Sequence, residues 1–397
     1  MKILLAIATV GAEGASWIQM RMNGKIPLAL YIHIPFCSKK CHYCSFYTIP
    51  YKEELIRSYC EAVIKEGLKK LAPLRCSHYV DTVFFGGGTP SLVPPAFIQD
   101  ILAALEVLTA TEITLEANPE NLSEKYIQDL AQTAVNRISI GVQTFNDPLL
   151  RLLGRTHSSS KATEAFLLCS QYGFSNLSAD LIYGLPTQST SDFIVDLQQA
   201  IALPIQHISV YNLTVDPHTS FYKHRKRILP SIADDDALAE MALTAERLLE
   251  SHGFARYELA SYAKNHAASK HNTYYWTDQP FLGLGVSASQ YLHGIRSKNF
   301  SRISHYLRAA HHHQPTAESM EELPPSERIK EALALRLRLC DPIPFGMFPQ
   351  ELVDEMLTNP TIRSLFTVNN QAFSLNQRGR LFHDSIAEEI MSSSFSF

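Results

Sequence analysis

Six short apolar runs recur along the first half of the chain, at residues 31–34, 82–85, 113–117, 137–143, 177–183 and 207–213. Between them, apolar residues return at helical spacing over residues 53–72, 123–133, 161–172 and 190–203. The first of these stretches carries Leu55, Ile56, Tyr59, Val63, Leu68 and Leu71 on one face, and the second opens on Ser123, a side chain suited to capping a helix N-terminus. Strands that alternate with helices have few ways to pack, because right-handed crossovers produce a parallel sheet covered by helices. Six units rather than eight predict an α/β fold of the partial (β/α)6 barrel kind.

In such a barrel the functional groups collect at the carboxyl ends of the strands. Glu116, Gln143 and Asp180 lie at or near the ends of otherwise apolar strands, and Arg155 follows in the loop RLLGRTH, so these four are expected at one mouth. Taken singly, each is also compatible with a strand-end cap that satisfies local backbone groups. The loop after the first strand carries Cys37, Cys41 and Cys44. A C-x3-C-x2-C run supplies three thiolates, one fewer than a [4Fe–4S] cluster needs, and leaves one iron open. The alternatives are a structural zinc site lacking its fourth ligand, or free thiols; zinc sites usually pair their cysteines as two separate C-x2-C units. The strand at 82–85 runs into Gly86, Gly87, Gly88, Thr89 and Pro90. Glycines there permit positive φ and let backbone amides approach a ligand closely, although a plain turn would read the same way. The pattern is neither a dinucleotide fingerprint nor a P-loop.

Composition narrows the setting. At 397 residues the chain is long enough for one large domain and one or two smaller ones, and its 46% hydrophobic and 19% charged residues are those of an ordinary globular protein. A formal net charge of −4 gives no reason to expect nucleic acid as a partner. The seven cysteines are an odd number, with Cys60, Cys76, Cys169 and Cys340 scattered, which is not a disulfide framework. An oxygen-sensitive cluster points to a reducing cytoplasm, and no apolar run of about 18 residues predicts a transmembrane helix. The start of the chain, ILLAIATVGA after Met1 and Lys2, reads either as a short secretory signal or, with its small apolar part, as a poorly ordered extension.

The second half is less regular. Lys223, His224, Arg225, Lys226 and Arg227 form a basic run, either a solvated loop or a point of attraction for porphyrin propionates or anionic lipid headgroups. An amphipathic helix over residues 234–252 stops at Gly253. Residues 257–294 contain His271 within HNTYYW; a histidine amid aromatic rings can be an axial haem ligand or a buried structural residue. His311, His312 and His313 read as a helix end, with incidental metal binding as the alternative. An acidic, proline-containing stretch up to Pro325 reads as a linker, followed by a helix over 326–339, a hairpin turning at Asn369 and Asn370, and a last helix within 374–391. The expected division is an N-terminal extension over 1–25, the barrel over 26–230, an extension with the HNxxYW motif over 231–320, and a C-terminal domain over 321–397 whose helices and hairpin resemble the winged-helix-like cap of the family identified below.

The cysteine spacing, with Tyr43 just before Cys44, resembles the radical S-adenosylmethionine (SAM) superfamily. The segments YIHIPFC (31–37), NRISIGVQTF (136–145), LGRTH (153–157) and DLIYGLP (180–186) resemble more closely its coproporphyrinogen-dehydrogenase-like branch, over roughly residue 26 to the C-terminus. The resemblance implies a [4Fe–4S] cluster on Cys37, Cys41 and Cys44, whose open iron chelates SAM and whose electron releases a 5′-deoxyadenosyl radical. It implies that Tyr31, Gly87 and Glu116 contact that SAM, and that Tyr43, Gly88, Thr89, Gln143, Arg155 and Asp180 match residues that line a second SAM position in the oxidase members of the branch described next. Asp180 suits ribose hydroxyls and Arg155 suits a methionyl carboxylate. The branch holds two kinds of protein, haem chaperones and oxygen-independent coproporphyrinogen III oxidases. The oxidases carry a fourth cysteine two residues after the third, where this chain has Phe46, while HNxxYW resembles the haem-binding motif of the chaperones. The expected function is therefore a haem chaperone that binds cluster, SAM and haem, with His271 on the haem, and delivers it to haemoproteins; oxidative decarboxylation of the porphyrinogen is the alternative. Peripheral membrane contact and a homodimer are left open.

Overall fold

The computed structural model describes residues 24–395; the extension expected over 1–25 falls almost wholly outside them. Six strands, β1 (Ile26–Ile34), β2 (His78–Gly87), β3 (Glu112–Ala117), β4 (Arg137–Gln143), β5 (Asn176–Tyr183) and β6 (His207–Asn212), pair in parallel and in chain order. Their side chains are buried on both faces, which is why they read as near-continuous apolar runs rather than as alternating ones. Helices α1 (Glu53–Leu71), α2 (Pro95–Ala104), α3 (Glu124–Leu130), α4 (Asp147–Leu153), α5 (Ser159–Gln171) and α6 (Thr190–Ile201) fill the connections. Local chemistry sets their ends. Glu53 and Glu54 open α1 and Lys69 and Lys70 close it, matching the helix dipole. Ser123 caps α3 through the Tyr126 amide, and Ser189 with Asp192 forms a capping box on α6. Helix α2, with Pro94 at its N-cap and Pro95 opening it, occupies a connection outside the stretches expected to be helical.

The sheet does not stop at the sixth strand. Two short strands, β7 (Ala255–Arg256) and β8 (Ser261–Ala263), extend the β6 edge antiparallel. At the other edge β9 (Phe281–Leu284) runs parallel to β1 and leads into an antiparallel meander of β10 (Ser289–Leu292), β11 (Ile295–Asn299) and β12 (Ala317–Glu322). The twelve strands form one sheet with open ends. Residues 317–322, expected as a linker, are thus an exposed edge strand; glutamates on such an edge discourage pairing with another chain.

The meander is held to α1 by one buried carboxylate. Glu66 accepts hydrogen bonds from Tyr306 Oη (2.7 Å), Thr316 Oγ1 (2.7 Å), Asn299 Nδ2 (2.7 Å) and the Gly285 amide (2.8 Å), and pairs with Lys70 at 2.8 Å. A second apolar cluster, from Leu333 through Phe373 to Ile390, gathers α10 (Pro325–Arg336, after α7 Asp235–Ser251, α8 Lys270–Trp276 and α9 Ile303–His311), α11 (Gln350–Thr358) and α12 (His383–Ser392). A three-stranded sheet over residues 343–344, 366–368 and 372–375 lies among them. The hairpin turns at Asn369, as its sequence suggests, whereas the last helical stretch begins only after residue 375 and breaks at Phe382.

Candidate functional site

Residues 37–50 leave β1 as a loop tied at three points. A two-stranded pair joins Phe36–Cys37 to Ile49–Pro50, the His42 amide and Nδ1 donate to the carbonyls of Leu153 and Leu152, and the Phe221 amide donates to the carbonyl of His42. The glycine run passes beneath this loop. The Gly88 amide donates to Ile34 O at 2.7 Å and the Thr89 amide to Phe36 O at 2.8 Å. A Cβ on Gly88 would stand 2.7 Å from Phe36 O and Pro35 C, and one on Gly87, at φ +109°, would stand 2.4 Å from the His33 ring. The glycines therefore serve close backbone packing under the cysteine loop, a use that the sequence alone does not separate from ligand approach.

One cavity of about 380 Å³ at the strand ends is lined by Cys37, Cys41, Tyr43, Cys44, Gly87, Gly88, Thr89, Glu116, Gln143, Arg155 and Asp180. Residues after β1 and after β6 share it, so the open sheet curls far enough to bring its two parallel edges to one mouth. Burial pushes the Cys37 and Cys44 thiols up, opposed by the Thr89 hydroxyl on Cys37 and the Phe46 amide on Cys44. Among the described residues no three His, Cys, Asp or Glu side chains converge on a single ion position. A [4Fe–4S] cluster takes each cysteine on a different iron, so it needs no such convergence. The donor set fits a three-thiolate cluster with one open corner.

Around the thiols stand charged groups of both signs. Arg155 donates to Asn118 Oδ1 (2.8 Å) and Gly141 O (2.6 Å) and reaches Cys41 Sγ at 3.6 Å, while its Nε is buried without a partner. A bulge between Gly141 and Gln143 breaks the register of β4, and Gln143 sits in the left-handed region at φ 71°, the local distortion that turns its side chain toward the mouth. Glu116 accepts from the Gly87 amide at 3.1 Å, and burial, then the Asp180 carboxylate, raise its pKa to about 7. Asp180 is also raised by burial, against the hydroxyls of Ser139, Ser209 and Ser178. Two buried carboxylates and an unpaired guanidinium nitrogen lining one cavity can take up an amine, a ribose and a carboxylate in one site.

Two expected residues are not at the cavity. Tyr31 points into the barrel, where its hydroxyl donates to His33 Nδ1 at 2.9 Å and its ring stacks on Phe84. His271, on α8, is buried in the same aromatic column: it stacks on Phe84, and its Nδ1 and Nε2 are engaged by Thr82 Oγ1 (2.9 Å) and Tyr275 Oη (2.8 Å). Burial, then the charge of Arg137, lowers its pKa to about 3, so the ring is neutral. Both nitrogens being occupied, haem ligation by His271 requires Tyr275 or Thr82 to let go. Asn118 was not singled out from the sequence, yet it joins Arg155 to Thr89 and Glu120; its only signal was its place directly after β3. The histidine triplet ends α9, where His311 contacts Ser58 and Lys65.

Comparison with known proteins bears on family and fold. Residues 31–200 match the radical SAM superfamily. The chain is 32% identical to the heme chaperone HemW of Lactococcus lactis over 94% of its own length and 99% of that protein's, and 33% identical to the Escherichia coli HemW over 91% and 97%. Among solved structures, E. coli coproporphyrinogen III oxidase HemN superposes with a TM-score of 0.80 at 22% identity, over 98% of this chain and 93% of that one, a likeness of fold.

Proposed function

Because the chain belongs to the radical SAM superfamily and, within it, to the family of the heme chaperone HemW, we propose that it binds haem and passes it to haemoproteins. In this reading Cys37, Cys41 and Cys44 hold a [4Fe–4S] cluster beside bound SAM. When present, that pair supplies an electron-accepting centre and a reducible sulfonium. The chain's own residues bind and orient: Glu116, held by the Gly87 amide, meets the SAM amine, and Tyr31 supports it from below through His33. Tyr43, Gly88, Thr89, Gln143, Arg155 and Asp180 form the wall of the second SAM position. His271 is the haem ligand once its contact with Tyr275 opens. A three-thiolate site of this kind belongs in a reducing cytoplasm.

The observation that carries the reading is the agreement between near-full-length similarity to HemW and a strand-end cavity that gathers all three cysteines. Phe46, exposed on the loop, stands where the porphyrinogen oxidases carry their fourth cysteine, a departure that weighs against decarboxylation. The test is a set of variants reconstituted anaerobically. Cys41→Ala should lose the iron–sulfur absorbance, whereas His271→Ala should keep it and bind haem at least tenfold more weakly. Tyr275→Phe, which frees His271 Nε2, should bind haem more tightly. Equal haem affinity in all three would remove His271 as the ligand.

A further inference from the structure

The barrel interior holds a charge below the level of the mouth. Arg137 opens β4, is 2% exposed, and enters no ion pair among the described residues; its Nε is buried without a hydrogen-bond partner. A guanidinium stays protonated when buried, so an uncompensated one is strongly unfavourable in a folded interior. Its register partners repeat the pattern. Phe84, Thr114, Arg137 and Asn176 form one row across β2, β3, β4 and β5, and Thr114 Oγ1 and Asn176 Oδ1 are likewise buried without partners. The row faces inward, because Ser139, two residues beyond Arg137 on the same side of β4, donates to Asp180 at 2.9 Å, and Phe84 meets the His271 ring.

The acids inside the barrel are engaged elsewhere. Glu112, at the foot of β3, accepts from the Lys270 and His271 amides at 3.1 and 3.0 Å, Glu116 from the Gly87 amide, and Asp180 from the Ser139 hydroxyl. Burial raises the pKa of both Glu116 and Asp180, and the charge of Arg137 is a lesser, opposing influence on each, so neither is a fixed counter-ion. The imidazoles that feel Arg137, His207 and His271, are lowered first by burial and then by its charge, and are neutral. Ser178 and Tyr257 engage the two nitrogens of His207, as Thr82 and Tyr275 do those of His271. Nothing among these groups neutralises the guanidinium.

The row also relates Arg137 to His271. The His271 ring stacks on Phe84 with centroids 5.1 Å apart, and Arg137 stands two strands further along the row, about 10 Å from Phe84 at the usual strand spacing. Imidazole and guanidinium thus reach the same interior from separate points of one layer. Resting on the reading that His271 ligates haem, we propose that Arg137 binds a propionate carboxylate of that haem, with the Thr114 hydroxyl and the Asn176 amide as further donors. A guanidinium and a carboxylate pair through two parallel N–H···O bonds, and an amide whose ends exchange by a flip presents its nitrogen as readily as its oxygen. The pair compensates the buried cation only while the cargo is bound, so the site selects an iron porphyrin with free carboxylates and fixes which edge of the macrocycle faces β4.

The test titrates the cluster-loaded full chain with haem and with haem dimethyl ester, whose propionates carry no charge, in the parent and in Arg137→Gln. The parent should bind free haem about tenfold more tightly than the ester, the scale of one charge-assisted pair. In Arg137→Gln that ratio should fall below about twofold, with the loss on the free-haem arm and the Soret band, set by the axial ligand, unmoved. A purely structural arginine would weaken both ligands alike and leave the ratio intact. Arg137→Lys, which keeps the charge, should retain part of the preference, and it carries the comparison if Arg137→Gln loses its cluster or its circular dichroism. An equal ratio in parent and Arg137→Gln overturns the proposal. So does a chloride-dependent rise in melting temperature that Arg137→Gln abolishes while the haem ratio stays, which would make the row a small-anion site. If the parent binds neither porphyrin, the haem reading itself fails, an outcome distinct from these because no ratio can then be measured.

Discussion

Single residues at the mouth carry sharp expectations. Glu116 has a folded-state pKa near 7 against an ordinary value of 4.5, so the folded protein binds its proton more tightly than the unfolded chain does. Its contribution to stability is thus present below pH 4.5 and lost as pH rises to 7, a loss of roughly 3 kcal/mol if burial acts in full. Denaturant titrations of cluster-free protein should show that decline, and Glu116→Gln should flatten it. Gly88→Ala places a methyl against the backbone of Phe36 and Pro35. Overpacking of this kind costs about 1–3 kcal/mol, and because the clash falls on the cysteine loop, iron content should drop together with stability. The residues that proved legible in the sequence were those whose type and position both spoke, the cysteines and the strand-end polar groups. Asn118 was not, because an asparagine after a strand is an ordinary turn residue until the partner across the mouth, Arg155, is placed. His271 shows the opposite limit: its motif was visible, but the hydrogen bonds that occupy both ring nitrogens come from Thr82, 189 residues away in the chain, and from Tyr275.

At the scale of elements, the six strands and most of the helices could be read because period and burial agree along the first half of the chain. The meander could not. Strands β9 to β12 are short and partly exposed, and their pairing depends on Glu66, a charged residue on α1 with nothing in its neighbours to mark it as buried. Removing that carboxylate takes the acceptor from the Tyr306 and Thr316 hydroxyls and the Gly285 amide, leaves Asn299 with the Gly285 carbonyl alone, and deprives Lys70 of its ion pair. Glu66→Ala should therefore cost roughly 3–5 kcal/mol, with hydrogen exchange rising first across residues 281–322. Since the Gly285–Val286 turn also reaches His33 through Tyr59, whose hydroxyl donates to His33 O and accepts from the Val286 amide, the loss should be felt at the mouth as well.

Besides a small apolar cluster around Leu153, Ile182 and Phe221, two larger ones gather the described residues, one around the barrel sheet and one around Leu333, Phe373 and Ile390. The larger two are joined by buried charge: Glu246 on α7 pairs with Arg256 at 3.0 Å and with Arg380 from the C-terminal part, and Arg338 lies 4.2 Å from the centre of the Trp276 ring. Arg380→Ala should raise hydrogen exchange over residues 325–392 and leave the barrel strands unchanged, with about 1.5–3 kcal/mol lost from the C-terminal part. On the function proposed above, this barrel carries haem rather than remaking a porphyrinogen. That reading is tested most directly by loading the cluster-containing protein with haem, mixing it anaerobically with an apo-haemoprotein, and following the Soret band. Haem should bind stoichiometrically and pass to the recipient, with coproporphyrinogen III left unchanged in a parallel incubation with SAM and reductant. Absence of haem binding together with formation of protoporphyrinogen would contradict it.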